Sequence, residues 1–194
     1  GQWSGWRPTH MLSTQVTGKT LGIIGMGRIG TRLARQAHHG FGMQIIYSNR
    51  TQTAESVEME LGAEYCSVEE VFERSDFLSL NCPAHAETRH LANEQTIHLM
   101  KPGAHLINTA RGDVVDELAL AEALSGGVIA GAGLDVYENE PEVASSLMDL
   151  EQVVLLPHMG SGTVETREAM GFRAVQNIEA FAEHRPIPDL VTVH

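Results

Sequence analysis

Short apolar runs alternate with helical patterns along the chain from Lys19 onward. Seven of these runs are continuous enough to be buried strands, and they lie at 21–25, 43–48, 63–66, 76–81, 104–109, 128–136 and 153–157. Helical spacing is found over 28–39, 52–61, 68–73, 93–99, 116–125 and 163–184. Apolar strands that alternate with helices are typical of a parallel sheet covered on both faces. We therefore predict an α/β fold with one doubly wound, mostly parallel sheet of the Rossmann type.

Local signals predict where several helices begin and end. Ser67 and Asp116 each precede a helical pattern, and their side-chain oxygens can accept from the free amides of a first turn, so both are expected to be N-caps. The sequence KPG at 101–103 is predicted to stop the helix before it. Gly40 and Gly42 are predicted to end the first helix.

The motif GMGRIG stands between the first predicted strand and the first predicted helix. Gly25 permits a tight turn, Gly27 lets a pyrophosphate approach the backbone, and Gly30 lets the helix pack closely on the strand. The helix begins at Arg28 and Ile29, where free amides and the helix dipole favour phosphate groups. In this setting the motif predicts a dinucleotide site, and a merely structural turn is the alternative.

The second predicted strand ends in an unexpected way for such a site. Many dinucleotide sites have an Asp or Glu here, which accepts from the ribose hydroxyls and repels a 2′-phosphate. The stretch IIYSNRT ends instead in Ser48, Asn49 and Arg50, and no acid occurs from Tyr47 to Gln52. Ser48 and Asn49 are interpreted as neutral donors and Arg50 as a charged fork that matches a phosphate. This predicts a preference for NADP(H), with NAD(H) as the alternative cofactor and a solvated surface charge as the alternative role of Arg50.

Composition limits the partners and the compartment. The chain has 194 residues and a formal net charge of −12, which argues against nucleic acid and anionic membranes, since both attract basic surfaces. No apolar run approaches the ~18 residues that a membrane-spanning helix needs. Cys66 and Cys82 are too few for a disulfide framework or a cysteine zinc site, and the histidines show no ligand spacing. We expect a reducing, cytoplasmic setting, no metal, and no signal-like segment at 1–10.

Three further stretches follow predicted strands and carry reactive side chains. Arg111 comes after one strand, the stretch LDVYENEP offers Asp135, Glu138 and Glu140 after another, and His158 follows a third. The carboxyl ends of the strands form the ligand-binding edge of such a sheet. A guanidinium can bind a carboxylate and polarise the adjacent carbonyl, and an imidazolium oriented by a carboxylate can donate a proton. This combination suits the reduction of a small 2-oxo acid.

The motifs LGIIGMGRIG, LINTARGDVVDE, GLDVYENEP and PHMGSGT occur in this order, and together they resemble the nucleotide-binding domain of the D-isomer-specific 2-hydroxyacid dehydrogenases. The resemblance extends from about Trp3 to Pro188. It implies an NAD(P)-dependent oxidoreductase that reduces glyoxylate, hydroxypyruvate or a similar acid to the D-2-hydroxy acid by hydride transfer. We therefore expect a lead-in at 1–18, a dinucleotide-binding domain at 19–184 and a return segment at 185–194.

The resemblance also assigns roles to individual residues. It implies that Arg111, Glu140 and His158 are catalytic. Asp135 is expected to contact the nicotinamide amide, whereas Glu138 lies outside the matching pattern and is expected to be solvated surface. The other cofactor contacts that it implies are Thr109 and Ala110 at the nicotinamide ribose, Cys82, Pro83 and Thr88 in the adenosine-side loop, and also Arg111, His158 and Gly160.

The chain departs from the family pattern at two places. The family has a substrate domain before the cofactor domain, and that domain is absent from this sequence. The stretch SNR replaces the Asp of NAD-dependent members and resembles the NADPH-using glyoxylate/hydroxypyruvate reductases. The lead-in WSGW also resembles that subgroup, whose aromatic segment lies at a subunit interface. We expect a homodimer that uses the segment from Trp3 to Leu12 and a face of the nucleotide-binding domain, and the alternative is that Trp3 and Trp6 simply pack as a tail.

Two other interpretations of the same motifs remain open. A formate dehydrogenase-like enzyme has this architecture but carries Gln where Glu140 stands, as suits a substrate with no carbonyl to protonate. A corepressor-like module would keep the fold and use the dinucleotide as a conformational signal without catalysis. Reduction of glyoxylate separates a reductase from both.

Overall fold

A computed structural model describes residues 3–191 of the chain, which form two compact units, one that ends at Pro157 and one that begins at His158. The first unit contains a seven-stranded sheet, with β1 (Thr20–Ile24), β2 (Gln44–Ser48), β3 (Glu64–Tyr65), β4 (Phe77–Leu80), β5 (His105–Asn108), β6 (Gly131–Leu134) and β7 (Val153–Leu155). The order is β3-β2-β1-β4-β5-β6-β7, and every neighbouring pair is parallel. The strand order reverses at β1, where a doubly wound sheet opens a ligand crevice.

Helices of the first unit cover both faces of this sheet. They are α1 (Arg28–Phe41), α2 (Glu55–Leu61), α3 (Val68–Arg74), α4 (Glu94–Ile97), α5 (Glu117–Ser125) and α6 (Ser145–Met148). Alternate residues of β1 point to opposite faces. Ile23 belongs to one apolar cluster with Ala34 of α1 and Leu61 of α2, and Ile24 belongs to the other with Phe72 of α3 and Leu120 of α5. The predicted doubly wound α/β fold is confirmed.

Most of the predicted helix ends agree with the structure. The Ser67 side chain accepts from an amide of α3 in a capping box, and the Asp116 side chain accepts from an amide of α5. Gly42 ends α1 in the left-handed region, with φ of +61°. The prediction that Gly40 also ends α1 is wrong, because the helix continues through it to Phe41.

Several predicted elements are longer than the observed ones, and in two of them the predicted ends make other hydrogen bonds. The strand predicted at 128–136 is β6, which is shorter, since the Val128 amide donates to the Ala123 carbonyl in the turn that ends α5. The helix predicted at 52–61 is α2, which begins later, since the Thr53 amide donates to the Tyr47 hydroxyl. A short 3-10 helix (Gly112–Val114) and α6 have no counterpart in the predictions.

His105 begins β5 at the edge of the sheet opposite the predicted site. Its ring stacks on that of Phe77, with centroids 5.2 Å apart and planes 17° from parallel. Burial lowers the pKa of His105, and its Nδ1 atom has no hydrogen-bond partner within the described part of the chain. His105 is therefore a packing residue that favours the neutral imidazole.

The second unit contains α7 (Val164–Ala182), which begins at the N-cap Thr163. The segment after the helix is tied back to it, because Arg173 binds Asp189 through two nitrogens at 2.6 and 2.9 Å and Asn177 exchanges hydrogen bonds with the same Asp189. No helix in residues 3–191 is long and apolar enough to cross a membrane. Parts of two predicted segments, residues 1–2 of the lead-in and 192–194 of the return segment, lie outside the described residues.

Candidate active site

The glycine loop runs from the end of β1 into α1. Gly25 has a φ of +95°, and a Cβ built on it would lie 2.6 Å from the backbone nitrogen of Cys82. A Cβ on Gly30 would lie 2.6 Å from the Gly25 oxygen and 3.1 Å from a side-chain methyl group of Ile23. The loop thus has the tight turn and the close helix–strand packing that the motif predicted, and neither position has room for a side chain.

Gly27 and the next two residues form the N-terminus of α1. Gly27 is the N-cap residue, no side chain caps this end among the described residues, and a Cβ built on Gly27 would meet no atom within 4 Å. Arg28 and Ile29 follow in the first turn, and both are exposed. An open, uncapped helix start suits a phosphate group. The contacts of Gly27, Arg28 and Ile29 with a pyrophosphate stay predictions.

The end of β2 lies against the glycine loop. Ser48 is buried, and its carbonyl accepts from the Gly25 amide at 3.0 Å. The side-chain oxygen of Asn49 accepts from the Met26 amide at 2.6 Å, and the Asn49 carbonyl accepts from the Tyr65 hydroxyl at 2.9 Å. Asn49 was expected to act as a donor toward the cofactor, but its strongest contact uses its oxygen as an acceptor. The residue therefore joins β2 to the glycine loop.

The loop that carries Arg50 is anchored at its far end. The hydroxyl of the fully buried Tyr47 donates to Glu58 at 2.7 Å and accepts from the Thr53 amide at 3.0 Å. Gln52 also donates to Glu58, at 2.9 Å. Burial and the hydrogen bond to Glu58 raise the pKa of Tyr47 to about 12, so the hydroxyl keeps its proton at neutral pH. Arg50 is exposed on a backbone that is held on both sides.

An open cleft of about 470 Å³ lies between the glycine loop, the end of β2 and the loop after β4. Its walls contain eight of the predicted cofactor residues, namely Gly25, Gly27, Ser48, Asn49, Arg50, Cys82, Pro83 and Thr88. The loop after β4 is braced by the Thr88 hydroxyl, which donates to the Pro83 carbonyl at 2.7 Å. Burial raises the pKa of the Cys82 thiol, so this wall is uncharged. His85 and Glu87, which were not predicted from the sequence, also line the cleft from an irregular loop.

A buried asparagine shapes the turn that carries Arg111. Asn108 is the last residue of β5 and is 1% exposed; its amide nitrogen donates to the Arg111 carbonyl at 2.9 Å, and its amide oxygen accepts from the Ala110 amide at 3.0 Å. Thr109 and Arg111 in this turn are both exposed. The Arg111 guanidinium also donates to the Ala110 carbonyl. Asn108 was not predicted as a site residue, although a polar residue at the end of an apolar strand is a usable signal.

The loop after β6 carries the predicted acidic residues. Asp135 is buried, and its amide donates to the Asn108 carbonyl at 3.0 Å, which places it beside the end of β5. Glu140 is exposed, and its carboxylate accepts from the Tyr137 amide at 3.0 Å. A Cβ built on Gly112 would lie 1.9 Å from the Tyr137 carbonyl carbon. The backbones that follow Arg111 and precede Glu140 are therefore in direct contact.

The expectation that Glu138 is a solvated surface residue is wrong. Its side chain is only 24% exposed, and one carboxylate oxygen lies 2.8 Å from an Arg89 guanidinium nitrogen and 2.9 Å from His90 Nε2. Both partners lie in the loop after β4, far from Glu138 in sequence. This contact had no local signal, because it depends on how two separate loops meet.

His158 begins the second unit and directly follows Pro157. It has a φ of +50°, in the left-handed region that non-glycine residues rarely occupy, and Gly160 follows two residues later. Both residues are exposed. The contacts of His158 and Gly160 with a cofactor, and the placement of His158 beside Arg111, stay predictions from the sequence. Within the described residues, no three His, Cys, Asp or Glu side chains are grouped as a metal ion would require.

The parallel order, the glycine loop at its reversal point and the adjoining cleft define a dinucleotide-binding domain of the Rossmann type. Residues 1–160 match the family described as "D-isomer specific 2-hydroxyacid dehydrogenase, NAD binding domain". The chain therefore belongs to this family, as its motifs predicted. Because the matched family is an NAD-binding domain, the chain is an NAD(P)-binding domain.

Several known proteins are similar to the chain. A glyoxylate reductase of Thermococcus litoralis is 50% identical over 195 residues, which cover 98% of this chain and 58% of that protein. A holo structure of D-mandelate dehydrogenase from Rhodotorula graminis matches with a TM-score of 0.90 and 36% identity, over 93% of this chain and 53% of that one. An NADPH-dependent glyoxylate/hydroxypyruvate reductase from Sinorhizobium meliloti, in complex with NADP and malonate, matches with a TM-score of 0.79 and 41% identity, over 84% and 50%. The chain thus spans 50–58% of the length of these relatives.

Proposed function

We propose that the chain is the cofactor-binding and catalytic part of a reductase that converts glyoxylate, hydroxypyruvate or a similar 2-oxo acid to the D-2-hydroxy acid. The observation that carries this proposal is the direct backbone contact between the Arg111 turn and the Glu140 loop. It brings a cation and a carboxylate to the carboxyl ends of β5 and β6, which is the edge where such sheets act on ligands. A glyoxylate reductase relative that is 50% identical to the chain in sequence supports this substrate class.

The chemistry of the side chains fits this reaction. The Arg111 guanidinium is suited to bind the substrate carboxylate through two hydrogen bonds and to polarise the adjacent carbonyl. From the family resemblance we infer that the His158 imidazolium would donate the proton that the carbonyl oxygen needs, and that Glu140 is the carboxylate assigned to orient it. A reduced nicotinamide, when bound, would supply the hydride. The uncapped start of α1 and the open space at Gly27 suit the pyrophosphate of that cofactor.

We also propose that NADP(H) is preferred over NAD(H). Arg50 lines the cleft next to Ser48 and Asn49, so its guanidinium is available for a 2′-phosphate at the end of β2. No carboxylate is present at that strand end to repel a phosphate. Glu87 lies elsewhere in the same cleft and opposes the preference in part. The relative from Sinorhizobium meliloti, which holds NADP, supports the proposal.

Product analysis tests the proposed reaction. The enzyme that contains this chain is incubated with hydroxypyruvate and NADPH, and the glycerate is resolved by chiral chromatography. We expect D-glycerate that accumulates in step with NADPH oxidation. L-glycerate, or no glycerate despite tight NADPH binding, would contradict the proposal, and the second result would favour a non-catalytic dinucleotide sensor. Carbon dioxide from formate and NADP would favour a formate dehydrogenase instead.

We further propose a homodimer that uses the lead-in. Trp3 and Trp6 are 71% and 80% exposed, and Met11 and Leu12 are also exposed. Large exposed apolar side chains in one short segment are typical of an interaction surface. We expect a dimer by light scattering at micromolar concentration, and a shift toward monomer for Trp3→Ser with Trp6→Ser. A monomeric wild type would refute this assembly.

The free thiols of Cys66 and Cys82 suit the reducing, cytoplasmic location that we expect.

A further inference from the structure

The Glu138 carboxylate contacts two side chains, those of Arg89 and His90, from a loop that is distant in sequence. One of its carboxylate oxygens lies 2.8 Å from Arg89 Nη2 and 2.9 Å from His90 Nε2. These two residues directly follow Thr88, in the loop after β4 that lines the adenosine side of the cleft. His90 has a φ of +49°, a conformation that costs free energy in a non-glycine residue and persists only where its surroundings hold it.

Other hydrogen bonds hold His90 in this conformation. Its amide donates to the Asp113 carbonyl at 2.7 Å, and its carbonyl accepts from the Asn93 side chain at 2.9 Å. Asp116 also faces its ring, with Oδ2 3.9 Å from Nδ1. The loop after β4 is therefore bound both to the loop that follows Arg111 and to Glu138.

The backbone of Glu138 is fixed from its other side. Its amide donates at 2.8 Å to the carboxylate of Glu117, a buried residue at the start of α5. A Cβ on Gly112 would lie 2.2 Å from the Glu138 nitrogen, so the peptide of Glu138 packs directly on the residue after Arg111. Two residues further along the chain, Glu140 begins the predicted acid–base pair. Glu138 thus stands where three loops meet.

We propose that Glu138 is a positioning residue: by holding Arg89 and His90, it fixes the adenosine-side loop against the Arg111 turn and the Glu140 loop. The proposal rests on the proposed reductase function for its kinetic consequence but not for its structural one. We call the contact of Glu138 with Arg89 and His90 the latch. When the latch is intact, the adenosine-side loop stays in a fixed position relative to the Arg111 turn and the Glu140 loop. Loss of the latch leaves these side chains present but displaced, and displacements near 1 Å can cost up to about a hundredfold in rate.

The structural consequence is tested without catalysis. Hydrogen–deuterium exchange is measured on the wild type, Glu138→Ala, Arg89→Ala and a matched control, Glu151→Ala, whose residue is exposed and outside the latch. We expect faster exchange over 83–92 and 111–116 in both latch variants and no change in the control. Unchanged exchange in these segments for Glu138→Ala would overturn the latch, whatever the enzyme does.

The kinetic consequence is tested with a deuterated nicotinamide in the enzyme that contains this chain. For Glu138→Ala we expect kcat to fall roughly ten- to a hundredfold, with a larger kinetic isotope effect because hydride transfer becomes limiting. Glu138→Gln keeps an acceptor oxygen and should lose less. The Arg89→Ala/Glu138→Ala double variant should be little worse than Glu138→Ala alone, since both changes break one contact.

The outcomes separate a positioning role from a purely structural one. A smaller folded fraction would lower kcat for both isotopes equally, so a fall in kcat with an unchanged isotope effect would overturn the positioning role. Additive losses in the double variant would also overturn it. A wild type that does not reduce any 2-oxo acid refutes the proposed function, and the exchange experiment then still decides whether the latch exists.

Discussion

The side-chain oxygen of Asn49 accepts a 2.6 Å hydrogen bond from the backbone amide of Met26, inside the glycine loop. The strand end that would distinguish the two cofactors is therefore connected to the loop that would hold their common pyrophosphate. Because the Ser48 carbonyl also accepts from the Gly25 amide, the last residue of β2 and the residue that follows it both support this loop. If Arg50 discriminates between the two cofactors as proposed, discrimination and general affinity depend on neighbouring residues with different contacts.

Asn49→Ala tests the support that Asn49 gives to the glycine loop. The change leaves the Met26 amide without its acceptor, so the loop loses a fixed geometry that both cofactors need. We expect the Kd values for NADH and NADPH to rise together, by about three- to tenfold, with their ratio nearly unchanged. Isothermal titration with each cofactor measures this. A selective loss of NADPH would instead make Asn49 a phosphate contact.

Arg50→Ala tests the discrimination between cofactors. If Arg50 binds the 2′-phosphate, the wild type prefers NADPH by roughly ten- to a hundredfold, and added salt reduces the preference. Arg50→Ala should erase most of it and leave NADH binding nearly intact, whereas Asn49→Asp should reverse it. Arg32→Ala, an exposed arginine of α1 outside the cleft, is the control. Equal affinities in the wild type, by nicotinamide fluorescence, would leave Arg50 as a solvated surface charge.

Gly112→Ala tests the contact between the Arg111 turn and the loop after β6. A methyl group at this position would lie 1.9 Å from the Tyr137 carbonyl carbon, so the two backbones have to separate. We expect kcat/KM to fall at least about tenfold, together with a lower Tm. Gly133→Ala is a matched control, because a Cβ on that glycine would meet nothing within 4 Å. Equal effects of the two substitutions would show that the close contact is unimportant.

The pH dependence of stability tests the burial of His105. Its pKa in the folded state lies below the usual 6.5 because burial disfavours the charged ring. As the pH falls through 6.5, the unfolded chain binds a proton that the folded protein does not, so the free energy of unfolding decreases. Tm is measured at about pH 8 and about pH 5.5, which lie on either side of the usual His pKa of about 6.5. We expect Tm to fall less between these two values in His105→Gln than in the wild type. The exposed His98→Gln should retain the full loss, and identical curves for wild type and His105→Gln would contradict the assignment.

The fold could be predicted from the sequence because its signals are local. Continuous apolar strands, the caps Ser67 and Asp116, and the glycine loop depend on residues that are close in the chain. The predicted bounds failed where a group outside the regular hydrogen-bond pattern of the element captured a backbone amide, as the Tyr47 hydroxyl does at Thr53. The short helix α6 is too brief to show a period.

The site could be predicted only in part. The cleft is lined by residues that were predicted to contact the cofactor from the glycine loop, the end of β2 and the loop after β4, since these positions follow from the topology. Glu138 was misjudged because its role arises where separate loops meet, whereas Asn108 was missed although its side-chain contacts lie within its own turn. The role of Asn49 was judged from its functional group, but its geometry shows that its oxygen is already engaged by Met26.

The reduction of glyoxylate by the wild type and by His158→Ala tests the central claim most directly. Steady-state oxidation of NADPH is measured in the enzyme that contains this chain, with His98→Ala as a surface control. If His158 donates the proton, its removal lowers kcat by roughly 10²–10⁴-fold, and Arg111→Ala raises the KM for glyoxylate as well. We expect the wild type and the control to reduce glyoxylate and His158→Ala to lose this turnover. Full kcat in His158→Ala, or no turnover of glyoxylate by the wild type with either cofactor, would contradict it.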